Sequence, residues 1–184
     1  MKFASGVSDS VQLLTAVTEA SQQVRAQLEG ARADLVCLFV SPIYRASWAE
    51  ALAHVHDVLR PAVVVGCSAG GVIGGEQEFE WVPAVSMLGA SLPQVRLLPF
   101  HIKPEELEAA SPGGFWIDKL GAVPSDDPSI LLFADPYTCD AHALLQQLNA
   151  TYPHRPIIGG LVSGGNEAGE HVLLYDTDVF REGA

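Results

Sequence analysis

The sequence predicts an α/β fold of mixed α+β character: two pseudo-repeated β-α-β-β units around a mixed, partly antiparallel sheet with flanking helices. Three observations carry this. Short, continuous apolar runs such as LVCLFV at 35–40 and ILLFA at 130–134 have the length and texture of strands covered on both faces. Segments with three-to-four apolar spacing lie between such runs, as helices would. The second half of the chain also repeats the order of the first.

Taken in order, Phe3 to Val7 is expected as a short edge strand. Ser8 or Asp9 then supplies a helix cap, since a short side-chain oxygen accepts from the free N–H groups of a first turn. Val11, Leu14, Val17, Val24 and Leu28 follow one helical face, and Gly30 stops it. Leu35 to Val40 is the first buried strand, ended by Ser41-Pro42. A second helix is read from Ser47 to Leu59, and Ala62 to Val65 is a strand opening into a glycine cluster. Glu76 to Trp81, Ala84 to Leu92 and Val95 to Ile102 read as three further strands. The last two make a hairpin about Pro93-Gln94. Between Lys103 and Pro128, two short helices are expected at Pro104 to Ala110 and Phe115 to Leu120, with Phe115 and Trp116 as anchors or part of a lid. Ile130 to Ala134 is a strand, Asp140 to Ala150 a helix carrying Leu144, Leu145 and Leu148 on one side. Ile157-Ile158 lead into a second glycine cluster, and His171 to Tyr175 closes as a strand.

Set side by side, LFVSP at 38–42 matches LFADP at 132–136. VVGCSAGG at 64–71 matches IIGGLVSGG at 157–165, with one residue more in the second copy. This reading divides a single domain into units 1–102 and 129–184, joined by a connector at 103–128. Pseudo-symmetric units would bring both glycine turns and both Pro-terminated strand ends to a shared cleft. The C-terminal ends of parallel strands are where open α/β sheets bind ligands.

Composition narrows the function. Of 184 residues, 48% are hydrophobic and 17% charged, a globular balance. Twenty-two carboxylates stand against ten Lys and Arg, a net charge of −12. Neither nucleic acid nor an anionic membrane surface is an expected partner for such a chain. MKFASGVSDS has no apolar run after its Lys2, so no secretory signal is read there. Three cysteines without a C-x-x-C pair argue against a disulfide scaffold or structural zinc, and a reduced, cytoplasmic protein is expected. Glu76, Glu78 and Glu80 alternate along one strand face, where repulsion favours a solvated edge over a metal site. His54 and His56 are two apart on a helix and point in different directions. No metal or cofactor is expected.

Gly66-Cys67-Ser68-Ala69-Gly70 fits the G-x-S-x-G pattern of a hydrolase nucleophile elbow. An elbow needs a strand, a sharp turn and a helix whose N-terminus supports the oxyanion. Here Gly74-Gly75 interrupt any helix, and the echo around Ser163 has different spacing. A triad of Ser68, Asp135 and His154 can be nominated, and a serine or cysteine hydrolase is the enzymatic alternative. Cys67 has no Lys or Arg near in sequence to lower its pKa, which favours burial over reactivity. The glycine clusters lack the G-K-[ST] ending of a P-loop. Small residues in turns instead let a backbone approach a small polar ligand and offer N–H and hydroxyl donors.

With these segments assembled, the chain resembles the N-terminal domain of the FIST family, a sensory module of bacterial signalling proteins and some F-box proteins. The residues carrying it are FASGVS at 3–8, LFVSP, VVGCSAGGVIGGEQE at 64–78, PAVSMLGASLP at 83–93, LFADP and IIGGLVSGG. The resemblance implies an intracellular sensory domain binding small ligands such as amino acids, with no established catalysis. It implies continuation into a C-terminal FIST domain, and that domain or a signalling protein as partner. A protein-interaction module without a small ligand is a further alternative. Chemistry and resemblance together nominate Ser41, Gly66, Cys67, Ser68, Gly70, Gly71, Asp135, Ser163, Gly164 and Gly165 as the ligand site. Backbone N–H groups and hydroxyls would hold a carboxylate there, and Asp135 an amino group.

Overall fold

The computed structural model describes residues 1–44 and 48–184. Its elements in chain order begin with β1 (Lys2–Ser8), α1 (Leu13–Leu28), β2 (Leu35–Val40), α2 (Trp48–Leu59) and β3 (Val63–Ser68). β4 (Gly71–Gly74), β5 (Gln77–Glu80), β6 (Val85–Ser91), α3 (Pro104–Ala109) and α4 (Gly114–Leu120) follow. β7 (Ile130–Ala134), α5 (Ala141–Thr151), β8 (Ile157–Leu161), β9 (Leu173–Tyr175) and β10 (Asp178–Phe180) complete the chain.

A six-stranded mixed sheet in the order β1-β6-β2-β3-β9-β10 forms the centre. Only β2 and β3 run parallel in it, joined by a crossover that contains α2. Helices α1 and α2 cover one face. Val36, Leu38 and Val40 of β2, Val64 of β3 and Met87 of β6 point into that layer, against Val17, Val24 and Leu52. The opposite face is also apolar, with Leu35, Phe39, Val63, Val65 and Tyr175 on it. Its cover is the narrow parallel pair β7–β8. A second core lies behind that pair, around the buried Trp116, Leu144, Leu148 and Tyr152. Trp116 is anchored there by an Nε1–H donated to Gln147 Oε1 at 2.9 Å. Cys67, Val162 and Leu173, with Phe39, Phe133 and Phe180, knit the two layers together.

The mixed sheet with flanking helices is as predicted, and several element details differ. β6 forms no hairpin with residues 95–102, which are not a strand, because β1 and β2 occupy both of its edges. β3 continues through Gly66, Cys67 and Ser68, so the glycine cluster begins inside a strand rather than in a turn. β4 pairs with β5 as a separate hairpin, and Glu76 falls in its turn. β10 is an additional edge strand. Helix α1 starts late, at Leu13, with Gln12 in the capping position and no side-chain cap bond, so Ser8 and Asp9 do not cap it. Val11 is therefore outside the helix and exposed, and Leu14 is partly exposed on the solvent side. Leu145 likewise turns outward while Leu144 and Leu148 are buried. Asp140 caps α5 by accepting from Ala143 N–H at 2.9 Å. Ser47, the expected start of the second helix, lies outside the described residues.

Candidate functional site

The parallel pairs β2–β3 and β7–β8 end on one rim, and the turns that leave them touch. Gly70 N–H donates to Ser163 Oγ at 3.0 Å. A Cβ placed on Gly164 would lie 2.7 Å from Pro42 Cγ and 3.2 Å from Gly70 N. Gly164 also has φ +99, a backbone that side-chain-bearing residues rarely adopt. Glycine is thus required there twice, for space and for conformation.

The ten predicted residues fall into two tiers. Ser41, Gly66, Cys67, Ser68 and Asp135 are buried, whereas Gly70, Gly71, Ser163, Gly164 and Gly165 reach solvent. In the buried tier, Ser68 is tied to Val172: its N–H donates to Val172 O at 2.9 Å, and its Oγ accepts from Val172 N–H at 3.1 Å. Ser41 N–H donates to Ala84 O, and its Oγ accepts from Ile43 N–H. Burial, and to a lesser extent Cys37 beside it, pushes the Cys67 thiol up to about 12.

Asp135 is wholly buried. Its Oδ1 accepts from Tyr137 N–H at 3.0 Å and faces His171 Nδ1 at 3.1 Å; its Oδ2 accepts from the Thr138 hydroxyl at 2.8 Å. The carboxylate thus holds a turn and an imidazole together. With Asp135 accepting, Nδ1 carries a proton directed at the carboxylate. The ring stacks on Tyr137 at 5.4 Å between centroids. Its other edge lies under the second glycine turn: a Cβ on Gly165 would sit 3.2 Å from Nε2.

Sequence reasoning missed His171 and named His154, which is exposed. One signal was available. Asp135 stands where the matching strand has Ser41, and a carboxylate closing a buried strand requires a hydrogen-bonding partner in the interior.

The exposed tier offers donors. The N–H groups of Ser163, Gly164 and Gly165 make no hydrogen bond to another of the described residues. Successive free N–H groups in a turn with a left-handed residue form an anion-binding nest. Glu80 borders the same rim, its Cγ 3.2 Å and its Oε1 3.7 Å from where a Cβ on Gly71 would lie. A donor run and a carboxylate therefore flank Gly70 and Gly71. The chain after Ser68 enters β4 rather than a helix, so the serine does not lead into a helix as an elbow does. A cavity lies elsewhere, between the sheets, and Gly66 is the one predicted site residue lining it.

A family model described as the FIST N domain matches residues 34–184. Uncharacterized protein MT0656 of Mycobacterium tuberculosis is 32% identical over 184 residues, covering 100% of this chain and 46% of that protein. Uncharacterized protein Mb0898c of Mycobacterium bovis is 29% identical over 189 residues, with the same coverage. The chain spans about half the length of the curated relatives it matches. Among the described residues, no helix is long and apolar enough to cross a membrane.

Proposed function

The chain belongs to the FIST family, whose domains are sensory modules of signal-transduction proteins; from that premise we propose that it senses a small polar ligand, an amino acid, at the rim where its two glycine turns meet. The observation that carries this reading is the run of N–H groups at Ser163, Gly164 and Gly165, unbonded among the described residues, on the rim that the exposed carboxylate of Glu80 borders. An α-amino acid has one group for each: its carboxylate on the N–H run, its ammonium on Glu80. Gly70 and Gly71 put no side chain between those two groups. Asp135 contributes indirectly, by fixing His171 beneath Gly165. The buried, free thiols suit a reducing cytoplasm. The binding signal passes to a signalling protein, or to a C-terminal FIST domain in a longer chain like those of the mycobacterial relatives.

A thermal-shift screen of the proteinogenic amino acids tests the reading. A ligand present at a hundred times its dissociation constant stabilises by about 2.7 kcal/mol. Glu80→Gln and Ser163→Ala should each weaken that ligand at least tenfold. Absence of any shift, or a shift indifferent to both substitutions, overturns it.

The Asp135–His171 pair favours one competing reading, a hydrolase, because an imidazole oriented by a carboxylate is two-thirds of a triad. Against it, the Ser68 hydroxyl is already engaged with Val172 N–H. Cleavage of an activated ester that is abolished by His171→Gln and by Ser68→Ala would establish catalysis instead.

A further inference from the structure

A cavity of about 600 Å³ lies between the six-stranded sheet and its two-stranded cover, towards the N-terminal ends of β2, β3 and β7. It is separate from the glycine rim, which sits at the opposite ends of those strands. It exists because two strands cannot cover six. The exposed part of the apolar face must then be roofed by residues 94–101, which carry Pro99 and run without regular structure.

We propose that this cavity is a second binding site, for an uncharged, largely apolar molecule with an aromatic ring. Its size falls in the range of small-molecule sites, roughly 300 to 1,000 Å³. The walls are Val63 and Val65 of β3, Phe133 of β7, Tyr175 of β9 and Phe180 of β10. Phe180 is already stacked face to face on His101, with centroids 3.8 Å apart and planes 8° from parallel. That stack presents a flat surface to a further ring. The charges at the cavity's border are mutually satisfied. Arg96 pairs with Asp126 at 3.6 Å and donates to Gly121 O at 3.0 Å, and Arg155 pairs with Asp127. Among the described residues a charged ligand would find no unpaired counter-charge at this border, and it would lose its own hydration on entry. Anions face a chain of net charge −12 as well. An apolar cavity of this kind holds little water that is worth keeping, and apolar guests occupy it readily.

The test uses the neutral fluorophore N-phenyl-1-naphthylamine, titrated into the chain at pH 7, with indole as competitor. Expected are a saturable rise in fluorescence, its displacement by indole, and a loss of dye affinity of at least tenfold in Val65→Trp. Leu98→Trp, at a partly exposed position on the roof, fills the cavity without entering the sheet and should act in the same direction. Ser163→Ala at the rim should leave dye binding unchanged, whichever ligand the rim takes. Three outcomes overturn the proposal: no saturable signal, dye binding unaffected by a folded Leu98→Trp chain, or a signal that falls as protein concentration rises. The last would mean that a second copy of the chain closes the cavity.

Discussion

Phe39 and Phe133 meet edge to face, with ring centroids 5.5 Å apart and planes at 87°. They occupy the same place in LFVSP and LFADP, in two strands that belong to different sheets. Gly70 and Gly164, matched in the two glycine turns, touch as well. In a two-fold arrangement, only residues on the axis meet their own counterparts. Two such contacts, one at the sheet interface and one at the rim, support reading the halves as related about an axis through both.

If that interface holds the layers together, its two rings act as a unit. Phe39→Ala and Phe133→Ala should each cost about 2 kcal/mol, below the usual cost for a fully buried ring because both are half-buried. A double-mutant cycle in urea should give a coupling of about 0.5 to 1.5 kcal/mol. Strict additivity would mean that the rings contribute only separately to their own layers.

Gly66 and Gly159 meet the same obstacle. Each follows two aliphatic residues in the second strand of its parallel pair, across from Leu38 and Leu132. A Cβ would lie 1.9 Å from Leu38 O in one case and 1.8 Å from Leu132 O in the other. Backbone cannot yield as a side chain can, so Gly66→Ala and Gly159→Ala should each destabilise by about 3 kcal/mol or more. Gly114→Ala, which meets no atom within 4 Å and has no positive φ, should change the urea midpoint little. Equal effects at all three positions would remove the steric argument.

These glycines also show what the sequence made legible. Buried parallel strands declare themselves as apolar runs, so β2 and β7 were found to the residue. Helix faces followed from spacing, except at Val11, which precedes the helix, and at Leu14 and Leu145, which face solvent. Long-range pairing was the hidden part. Val95 to Ile102 has strand composition, but a strand needs a free edge, and edge occupancy is decided by β1, far away in sequence. His171 escaped notice for the same reason. Its role is set by Asp135, 36 positions earlier, and nothing local to EHVLLY marks the imidazole as buried.

That pair gives a third prediction. Asp135→Ala leaves Tyr137 N–H, the Thr138 hydroxyl and His171 Nδ1–H without their acceptor in a site that is 0% exposed at Asp135. At about 1 kcal/mol or more for each orphaned donor, the loss should reach about 3 kcal/mol. Asp135→Asn keeps an acceptor oxygen for part of this set and should cost less. Urea denaturation of both variants measures the difference. Indistinguishable losses would show that the carboxylate's charge, rather than its acceptor count, matters in this turn.

The last prediction concerns alkaline pH. Burial raises the thiols of Cys37 and Cys139 from 9.0 to about 11, and that of Cys67 to about 12. Burial, with the nearby charges of Asp9 and Glu19, raises the Tyr44 phenol from 10.0 to about 12. In each case the folded chain holds its proton more tightly than the unfolded chain does. The stabilisation is therefore fully present below pH 9, where both states are protonated, and is lost as pH rises towards the folded values. Under reducing conditions the urea midpoint should hold steady from about pH 7 to 8 and then fall progressively between about pH 9 and 11. Replacing the three cysteines with alanine should flatten that fall, leaving the contribution of Tyr44. Native thiols should also resist iodoacetamide at about pH 8 and react only once denaturant opens the chain, because the thiolate is the reactive form. Rapid alkylation of Cys67 in the folded chain would contradict its burial and revive it as a nucleophile.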